Sequence, residues 1–423
     1  MKSKLFLSQL AAGEWHVKLA SLYGDEKVSS AVTRYTDAVG AFEQRYGKDR
    51  DIAVFSVCGR SEISGNHTDH NHGKVIAASI ELDIIAVASH NDNGTIRVLS
   101  RGFDEDTITP ESKTKQYSSA SLIAGVKEGF RKEGLLVGGF DAYTDSYVLK
   151  GSGLSSSAAY ENMIGTILNH LYNDGKADDV TISKISQYAE NVHFGKPCGL
   201  MDQIACITGG FVYIDFADPQ NPMVEKLPFD LTRAGYRLVI TDTGGNHAAL
   251  SGEYATIPGE MKEVAAFFNK SVLRDVTQEA VMANMAAIRA KCGDRALLRA
   301  LHFLRENQRV EKQKEALKKD DLDTFLALVL ESGRSSAMYL QNAFTSLSVQ
   351  EQGIMLALCI SEQLLQDKKA AWRLHGGGFA GTIQAFVPWE YAAWYSGEMD
   401  KVFGKGASRC LAVRGESGVC LVK

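Results

Sequence analysis

The stretch "GSGLSSSAA", residues 151–159, decides the fold class of this 423-residue chain. Before it, the alternating segment "GFDAYTDSYVL" predicts a β-strand, and after it the amphipathic segment "YENMIGTILNHLYN" predicts a helix. Glycines at such a junction let the backbone approach an anion closely, and the start of the helix adds free N–H groups. A flexible linker is the alternative, but linkers are not expected between a strand and a helix. The stretch therefore predicts a phosphate-binding loop, although it lacks the Gly-Lys-Ser/Thr ending of a P-loop.

The rest of the chain predicts a mixture of helices and strands. Near the start, apolar residues recur at helical spacing from Val32 to Tyr46, and "DIAVFSVCG" and "KVIAASIELDIIAVASHN" follow as strands. Residues 256–370 are almost wholly helical in pattern, before "WRLHGGGFAGTIQAFVP" returns to a strand with a glycine-rich turn. A change in composition near residue 220 predicts two domains, residues 1–220 and 221–423.

Composition narrows the possible partners. The 46 basic and 51 acidic residues are mixed along the chain and give a net charge of −5, so no nucleic-acid partner is expected. No apolar run reaches the length of a membrane span or a signal peptide, so we expect no membrane association. Seven cysteines without C-x-x-C pairing indicate reduced thiols and a cytoplasmic protein. The sequence leaves the oligomeric state open, and a monomer is compatible with it.

Three further segments carry polar side chains between glycines. They are "CGRSEISGNHTDHNHG" (residues 58–73), "CGLMDQ" (residues 198–203) and "HGGGFAG" (residues 375–381). Taken alone, the first could be a metal site, a solvated loop or part of a pocket for a polar molecule. The second could be an ordinary helix cap, and the third a tight turn or bulge. Their order along the chain is more informative than any one of them.

In that order, with the phosphate loop between the first and second, these segments resemble the galactokinase branch of the GHMP kinases. The first is similar to that branch's signature, a Pro-Gly-Arg run followed by Gly-Glu-His-Thr-Asp, and the second matches Gly-x-Met-Asp-Gln. The likeness covers nearly the whole chain from about residue 35. It implies an α+β fold of two domains: an N-terminal mixed α/β domain with a ribosomal-protein-S5-like fold, and a C-terminal α+β domain. The active site is then expected in the cleft between them.

The resemblance implies a role for individual residues. Arg60 and Asp202 correspond to the catalytic pair at the sugar's anomeric hydroxyl, and Ser157 and Glu190 to the ligands of a Mg²⁺ ion. The implied ATP-phosphate loop is Gly151, Ser152, Gly153, Leu154, Ser155, Ser156 and Ser157, and the C-terminal glycine motif is Gly376, Gly377 and Gly378. The implied sugar contacts are Asn66, His67, Asp69, Gly199 and Tyr254. Because the family uses the histidine-rich loop, "GNHTDHNHG" (residues 65–73), for sugar, and no zinc-like ligand spacing follows, the metal interpretation of that loop is rejected.

These matches imply a kinase that uses ATP and Mg²⁺ to phosphorylate O1 of galactose or a galactose-like sugar. The alternatives are a kinase for another sugar (a uronic acid, a pentose, an N-acetylhexosamine or a deoxy sugar) and a non-catalytic regulatory relative that binds sugar and ATP. Two departures bear on the substrate. Asn66 stands where galactokinases carry a glutamate near the sugar's O6, and "SEIS", residues 61–64, replaces the usual Val-Asn-Leu-Ile. An uncharged amide at residue 66 predicts weaker binding of a C6 hydroxyl and less repulsion of a sugar acid.

Overall fold

The computed structural model describes residues 1–110, 112–148, 153–244 and 251–423. The chain forms two compact units, each of which is discontinuous in sequence. The first unit contains Met1–Arg60, Ser79–Gly209 and Arg414–Lys423, and the second contains Ser61–Ala78 and Gly210–Val413. None of the helices in these described ranges is long and apolar enough to cross a membrane.

This arrangement corrects the predicted division into two continuous domains, residues 1–220 and 221–423. Strands β1 (Ala53–Ser64) and β2 (Lys74–Asn91) run from one unit into the other. The first residues of β2 pair with a strand that follows residue 210, whereas its last residues pair with a strand near residue 140. The two ends of β2 thus pair with different strands. Amino-acid composition near residue 220 cannot predict this, because the pairing is between segments that are distant in sequence.

The first unit is built on a mixed sheet with the strand order β12–β1–β2–β5–β3–β4, in which β5 is antiparallel to β2 and parallel to β3. Besides β1 and β2, its strands are β3 (Ile96–Ser100), β4 (Asp106–Ile108), β5 (Gly139–Ser146) and β12 (Val419–Val422). Its helices are α1 (Ser3–Ala11), α2 (His16–Tyr23), α3 (Val28–Tyr46), α4 (Ser119–Lys132), α5 (Ser156–Tyr172), α6 (Asp179–Tyr188) and α7 (Met201–Thr208).

The helices before residue 47 form part of the core of the first unit. Tyr35, Val39 and Phe42, which recur at helical spacing on α3, are completely buried, and they pack with Phe6 of α1 and with side chains of β1 and β2. The predicted amphipathic helix is therefore confirmed. A helix that packs on a sheet buries only one of its faces, and in α3 this face is the apolar stripe.

A buried group of charges joins three distant segments of the first unit. The carboxylate of Asp83 on β2 is completely buried and accepts hydrogen bonds from Arg34 of α3 at 2.6 Å and from Arg414 at 2.9 Å. Tyr23 donates a further bond to it at 2.6 Å, and Ser56 donates a fourth. A buried carboxylate of this kind is tolerated because opposite charges and donors surround it. The group fixes the N-terminal helices and the C-terminal segment to the central sheet.

The second unit combines an antiparallel sheet with a largely helical segment. Its four-stranded sheet has the order β11–β8–β10–β9, and a second group of strands pairs the beginning of β2 with β6, and β6 with β7. Its strands are β6 (Phe211–Asp215), β7 (Met223–Leu227), β8 (Tyr236–Asp242), β9 (Ala371–His375), β10 (Thr382–Pro388) and β11 (Ser408–Leu411). Its helices are α8 (Ser251–Phe267), α9 (Gln278–Ala283), α10 (Met285–Cys292), α11 (Asp294–Lys318), α12 (Leu322–Ser335), α13 (Gly353–Leu365) and α14 (Trp389–Phe403). The helical pattern predicted for residues 256–370, followed by a strand, is confirmed.

Candidate active site

Arg60 and Asp202, the predicted catalytic pair, are in direct contact within the first unit. Arg60 lies on β1, and Asp202 lies in the first turn of α7. The Arg60 Nε donates to Asp202 Oδ1 at 2.8 Å, and its Nη1 donates to the carbonyl of Gly153 at 2.6 Å. Arg60 therefore fixes the carboxylate and the phosphate-loop backbone in one arrangement.

The environment of Asp202 favours its ionised form. Burial by itself raises the pKa of this carboxyl, but the Arg60 guanidinium outweighs burial, and the pKa is lowered. Ser155 supports the same form by donating its hydroxyl to Asp202 Oδ2 at 2.5 Å. The carboxylate keeps 31% of its surface exposed, so a ligand can reach it. Asp202 is thus a fixed anion that can orient a hydroxyl group and accept its proton.

The described part of the predicted phosphate loop leads directly into the N-terminus of α5. Ser155 adopts a left-handed conformation, with φ of 59°, directly before α5 begins at Ser156. The Leu154 carbonyl accepts the backbone N–H of Arg60, and a Cβ at Gly59 would lie only 2.8 Å from this carbonyl, so only glycine fits there. The N-terminus of this 17-residue helix presents free N–H groups and a favourable dipole to an anion. Gly151 and Ser152 lie outside the described residues.

Ser157 and Glu190, the predicted metal ligands, lie side by side. The Ser157 hydroxyl donates to Glu190 Oε1 at 3.0 Å, and Lys196 Nζ lies 3.0 Å from the same oxygen. Glu190 is 2% exposed and belongs to a π-helical turn, Ala189–Phe194. A hydroxyl and a carboxylate beside a phosphate loop are the hard oxygen donors that Mg²⁺ takes, with phosphate and water completing its shell. These residues therefore fit the ion that the resemblance implies.

Two buried side chains behind Glu190 were missed by the sequence analysis. Gln203, which is completely buried on α7, donates its amide to Glu190 Oε2 at 3.0 Å and to Glu161 Oε2 at 3.3 Å. Glu161 is also completely buried, and burial together with the neighbouring Glu190 raises the pKa of its carboxyl well above the ordinary value. The sequence signal for Glu161 was a carboxylate on the apolar side of α5. The signal for Gln203 was its position directly after Asp202, the predicted catalytic aspartate. Gln203 therefore holds one oxygen of Glu190, and Glu161 holds the Gln203 amide.

The predicted glycine motif lies in the second unit and packs closely against Tyr254 and Asn342. Gly376 and Gly378 have φ of 73° and 82°, so the motif forms a left-handed turn between β9 and β10. A Cβ at Gly377 would lie 2.5 Å from the ring of Tyr254, and one at Gly378 would lie 2.2 Å from the carbonyl of Asn342. This close approach explains the run of glycines, and the predicted tight turn beside a strand is confirmed.

His67, a predicted sugar contact, is held in a strained and buried position. Its backbone is left-handed with φ of 59°, and its Nε2 donates to the carbonyl of Gly377 at 2.9 Å. Its Nδ1 must then be unprotonated, and it has no partner among the residues that the structure describes. Burial lowers the pKa of His67 to about 3, so the ring is neutral at physiological pH. Its centroid lies 4.9 Å from that of Tyr254, another predicted contact.

The side chain of Asn66, a predicted sugar contact, makes its hydrogen bonds to other protein groups. Its side chain is completely buried, and its Nδ2 donates to Glu62 Oε1 at 3.0 Å and to the Gly376 carbonyl at 2.8 Å. Its Oδ1 accepts from Ser336 at 3.2 Å and from Asn342 at 2.8 Å. A primary amide makes two bonds through each atom, so no capacity remains for a sugar hydroxyl. The predicted direct contact of Asn66 with sugar is therefore corrected to a contact with protein.

Asp69 and Gly199, the two other predicted sugar contacts, lie in loops. Asp69 begins a short 3₁₀ turn after the strained His67, and its Oδ1 accepts the backbone N–H of His70 at 2.9 Å. Its side chain is 18% exposed. Gly199 precedes α7 by two residues and lies close in sequence to Asp202. Their contact with a sugar stays a prediction.

Comparisons with known proteins identify the family. The family model described as the GHMP kinase N-terminal domain matches residues 121–210, and the galactokinase galactose-binding signature matches residues 40–90. Galactokinase from Streptomyces coelicolor is 31% identical over 355 residues, covering 82% of this chain and 87% of that protein. Galactokinase from Actinobacillus pleuropneumoniae serotype 5b is 30% identical over 355 residues, covering 83% of this chain and 89% of that protein.

Solved structures show the same fold. Lactococcus lactis galactokinase, solved in complex with galactose, superposes with a TM-score of 0.76 at 20% identity, over 92% of this chain and 99% of that one. Mevalonate kinase from Methanococcus jannaschii has a TM-score of 0.59 at 13% identity, over 85% of this chain and 98% of that one. The predicted α+β GHMP kinase fold is confirmed. With the relatives above, it follows that the chain is a sugar kinase belonging to the galactokinase family of GHMP kinases.

Proposed function

We propose that this protein transfers the γ-phosphoryl group of ATP to O1 of galactose, or of a neutral sugar close to galactose in shape. The observation that carries the proposal is the contact among Arg60, Asp202 and Ser155 at the phosphate loop. It puts a fixed anion and a fixed cation beside the backbone that is expected to hold the phosphates. Phosphoryl transfer needs mainly such positioning and charge stabilisation.

In the proposed mechanism Asp202 accepts a hydrogen bond from the O1 hydroxyl and directs this oxygen at the γ-phosphorus. A bond forms between O1 and phosphorus while the bond from phosphorus to the departing ADP oxygen breaks, and the O1 proton passes to Asp202. Because the pKa of Asp202 is lowered, it is a weak base, so its proton uptake accompanies the formation of the new bond rather than preceding it. Arg60 offsets the negative charge that gathers on the transferred group.

A Mg²⁺ ion bound with ATP would be held by Ser157 and Glu190. Such an ion neutralises phosphate charge and fixes the geometry of the phosphates. Lys196 lies 3.0 Å from Glu190 and is 59% exposed, so it can leave the carboxylate when the nucleotide arrives. Gln203 retains the other carboxylate oxygen at 3.0 Å and prevents Glu190 from turning away.

The sugar is proposed to contact the histidine-rich loop. The Nδ1 of His67, which has no partner in the described part of the chain, is an acceptor for a ring hydroxyl, and the carboxylate of Asp69 is a second acceptor. The Tyr254 ring beside His67 and the backbone near Gly199 complete the proposed set. Because the pKa of His67 is lowered to about 3, its ring is neutral and Nδ1 can accept a hydrogen bond throughout the physiological pH range.

An ADP-release assay over a panel of monosaccharides tests the proposal. We expect turnover with galactose or a close neutral relative, and phosphorus NMR should show coupling between the new phosphate and the anomeric proton. A 6-phosphate product would refute the proposed orientation of the sugar, and binding of sugar and ATP without turnover would favour a regulatory relative instead. The cytoplasmic location stays a prediction from the sequence, which leaves the oligomeric state open.

A further inference from the structure

The bond between Asn66 and Glu62 is a contact between an amide and a carboxylate inside the second unit. Glu62 lies near the end of β1 and is 7% exposed, and Asn66 lies in the loop that follows and is completely buried. The Asn66 Nδ2 donates to Glu62 Oε1 at 3.0 Å. Arg373, also completely buried, lies 3.7 Å from the same carboxylate oxygen, beyond hydrogen-bonding distance. A negative charge is therefore kept beside the histidine-rich loop, but it belongs to residue 62.

The other bonds of Asn66 require an amide at this position. Its Nδ2 faces two acceptors, Glu62 and the Gly376 carbonyl, while its Oδ1 faces the Ser336 hydroxyl and the Asn342 amide. A carboxylate at residue 66 would direct an anionic oxygen at Glu62 and at a carbonyl. Two carboxylates at that separation cannot both be ionised without a large cost. Residues 62 and 66 are thus chemically dependent on each other.

The family pattern shows the same two residue types in exchanged positions. Glu62 stands at the asparagine of the usual Val-Asn-Leu-Ile, and Asn66 stands at the usual glutamate. One carboxylate and one amide are present in either arrangement. The expectation that this chain lacks a negative charge at the sugar's far end, which rested on Asn66 alone, is therefore not supported by its structure.

We propose that Glu62 and Asn66 determine the sugar specificity of this kinase together. Glu62 supplies the negative charge that excludes sugar acids, and Asn66 is a positioning residue that holds this carboxylate against the glycine turn. Asn66 also precedes His67, which is anchored to the Gly377 carbonyl at 2.9 Å, so a displaced residue 66 would shift a proposed sugar contact. The inference rests on the proposed function and adds to it the two residues that together select a neutral sugar over a uronic acid.

The test compares kcat/KM for galactose, or the best neutral sugar of the panel, with kcat/KM for the corresponding uronic acid. The variants are Glu62→Gln, Asn66→Asp and the double variant Glu62→Gln/Asn66→Asp, all close to isosteric with the native side chains. We expect Glu62→Gln to raise the ratio of uronic acid to neutral sugar about tenfold or more, because a repelling charge is removed. We expect Asn66→Asp to lower kcat/KM for the neutral sugar about tenfold or more, because it opposes two carboxylates.

The double variant distinguishes a coupled pair from two independent sites. It restores one carboxylate and one amide, so it should recover most of the lost kcat/KM and return the specificity ratio to within about threefold of the native value. Glu279→Gln is the matched control, since it removes a charge from an exposed side chain of α9 in the same unit, and its ratio should not change.

Each outcome bears on the proposal separately. An unchanged ratio in Glu62→Gln would overturn the role of its charge, and a double variant no better than Asn66→Asp would overturn the coupling. If Asn66→Asp does not fold, Glu62→Gln still decides the specificity, and a double variant that folds would itself support the pairing. A native protein that phosphorylates no sugar would instead refute the proposed function, so the two failures are distinguishable.

Discussion

Replacing Asp202 with asparagine is the most direct test of the catalytic pair. The amide is close to isosteric with the carboxylate, and its oxygen can still accept the 2.8 Å bond from Arg60. It cannot accept a proton from O1, and it carries no charge to orient the hydroxyl. We therefore expect Asp202→Asn to lose nearly all turnover while it retains the fold and nucleotide binding.

The two effects of this substitution differ in size. A positioned general base contributes roughly 10²–10⁴-fold to a rate, which corresponds to about 2.7–5.4 kcal/mol of activation free energy. The loss of stability is smaller, because the asparagine oxygen can keep the 2.8 Å hydrogen bond from Arg60 and the side chain at residue 202 is 31% exposed. A partly exposed ion pair contributes about 1 kcal/mol, whereas domains of ordinary stability have about 5–15 kcal/mol to lose. Activity should therefore disappear well before the fold does.

The assay is ADP release with saturating sugar and ATP, with ATP binding measured by titration calorimetry on the same preparation. Asp178→Asn is the matched control. It makes the same chemical change at the N-cap of α6, where Asp178 accepts the N–H of Thr181 at 2.7 Å and asparagine is an equally good cap. Its rate should be close to native. If Asp202→Asn keeps more than about a tenth of the native rate, less than about 1.4 kcal/mol of the barrier depends on the carboxylate, and the assignment is refuted.

Two further predictions concern stability. Asp83→Asn should destabilise the protein by about 3–5 kcal/mol, because it leaves the buried Arg34 and Arg414 without their shared counter-ion, and urea unfolding at pH 7 measures this loss. A loss below about 1 kcal/mol would mean that water or Asp145, the other carboxylate bonded to Arg34, compensates for the change. Stability should also fall as the pH drops below about 6.5, because His67 takes up a proton in the unfolded chain but not in the fold, where its pKa is lowered to about 3. This histidine alone contributes a slope of about 1.4 kcal/mol per pH unit between those values, whereas the raised pKa of Glu161 contributes a slope of the opposite sign. The test therefore compares the native protein with His67→Gln from pH 7 to pH 5, and the same pH dependence in both proteins would contradict the assignment.

Much of this protein follows from local sequence. The amphipathic spacing on α3, the strand preceding the phosphate loop and the helix following it were predicted because they depend on residues near in sequence. The glycines at residues 376–378 predicted a turn for the same reason, since left-handed backbone angles are a property of single residues. The contact between Arg60 and Asp202 joins residues far apart in sequence, and it was expected only through the resemblance to a family.

Tertiary structure decided what the sequence could not. Whether Asn66 faces a ligand or the protein depends on Asn342, Ser336 and Gly376, which are distant in sequence and surround it only in the fold. The discontinuous units have the same origin, because the two halves of β2 choose different partner strands. A sequence pattern reports the spacing of side chains along the chain, whereas the use of a hydrogen-bonding group is determined by the neighbours that folding brings within about 3 Å of it. For that reason the sequence determined which residue types this site contains, and only the folded chain determined that the charge beside its histidine-rich loop belongs to Glu62.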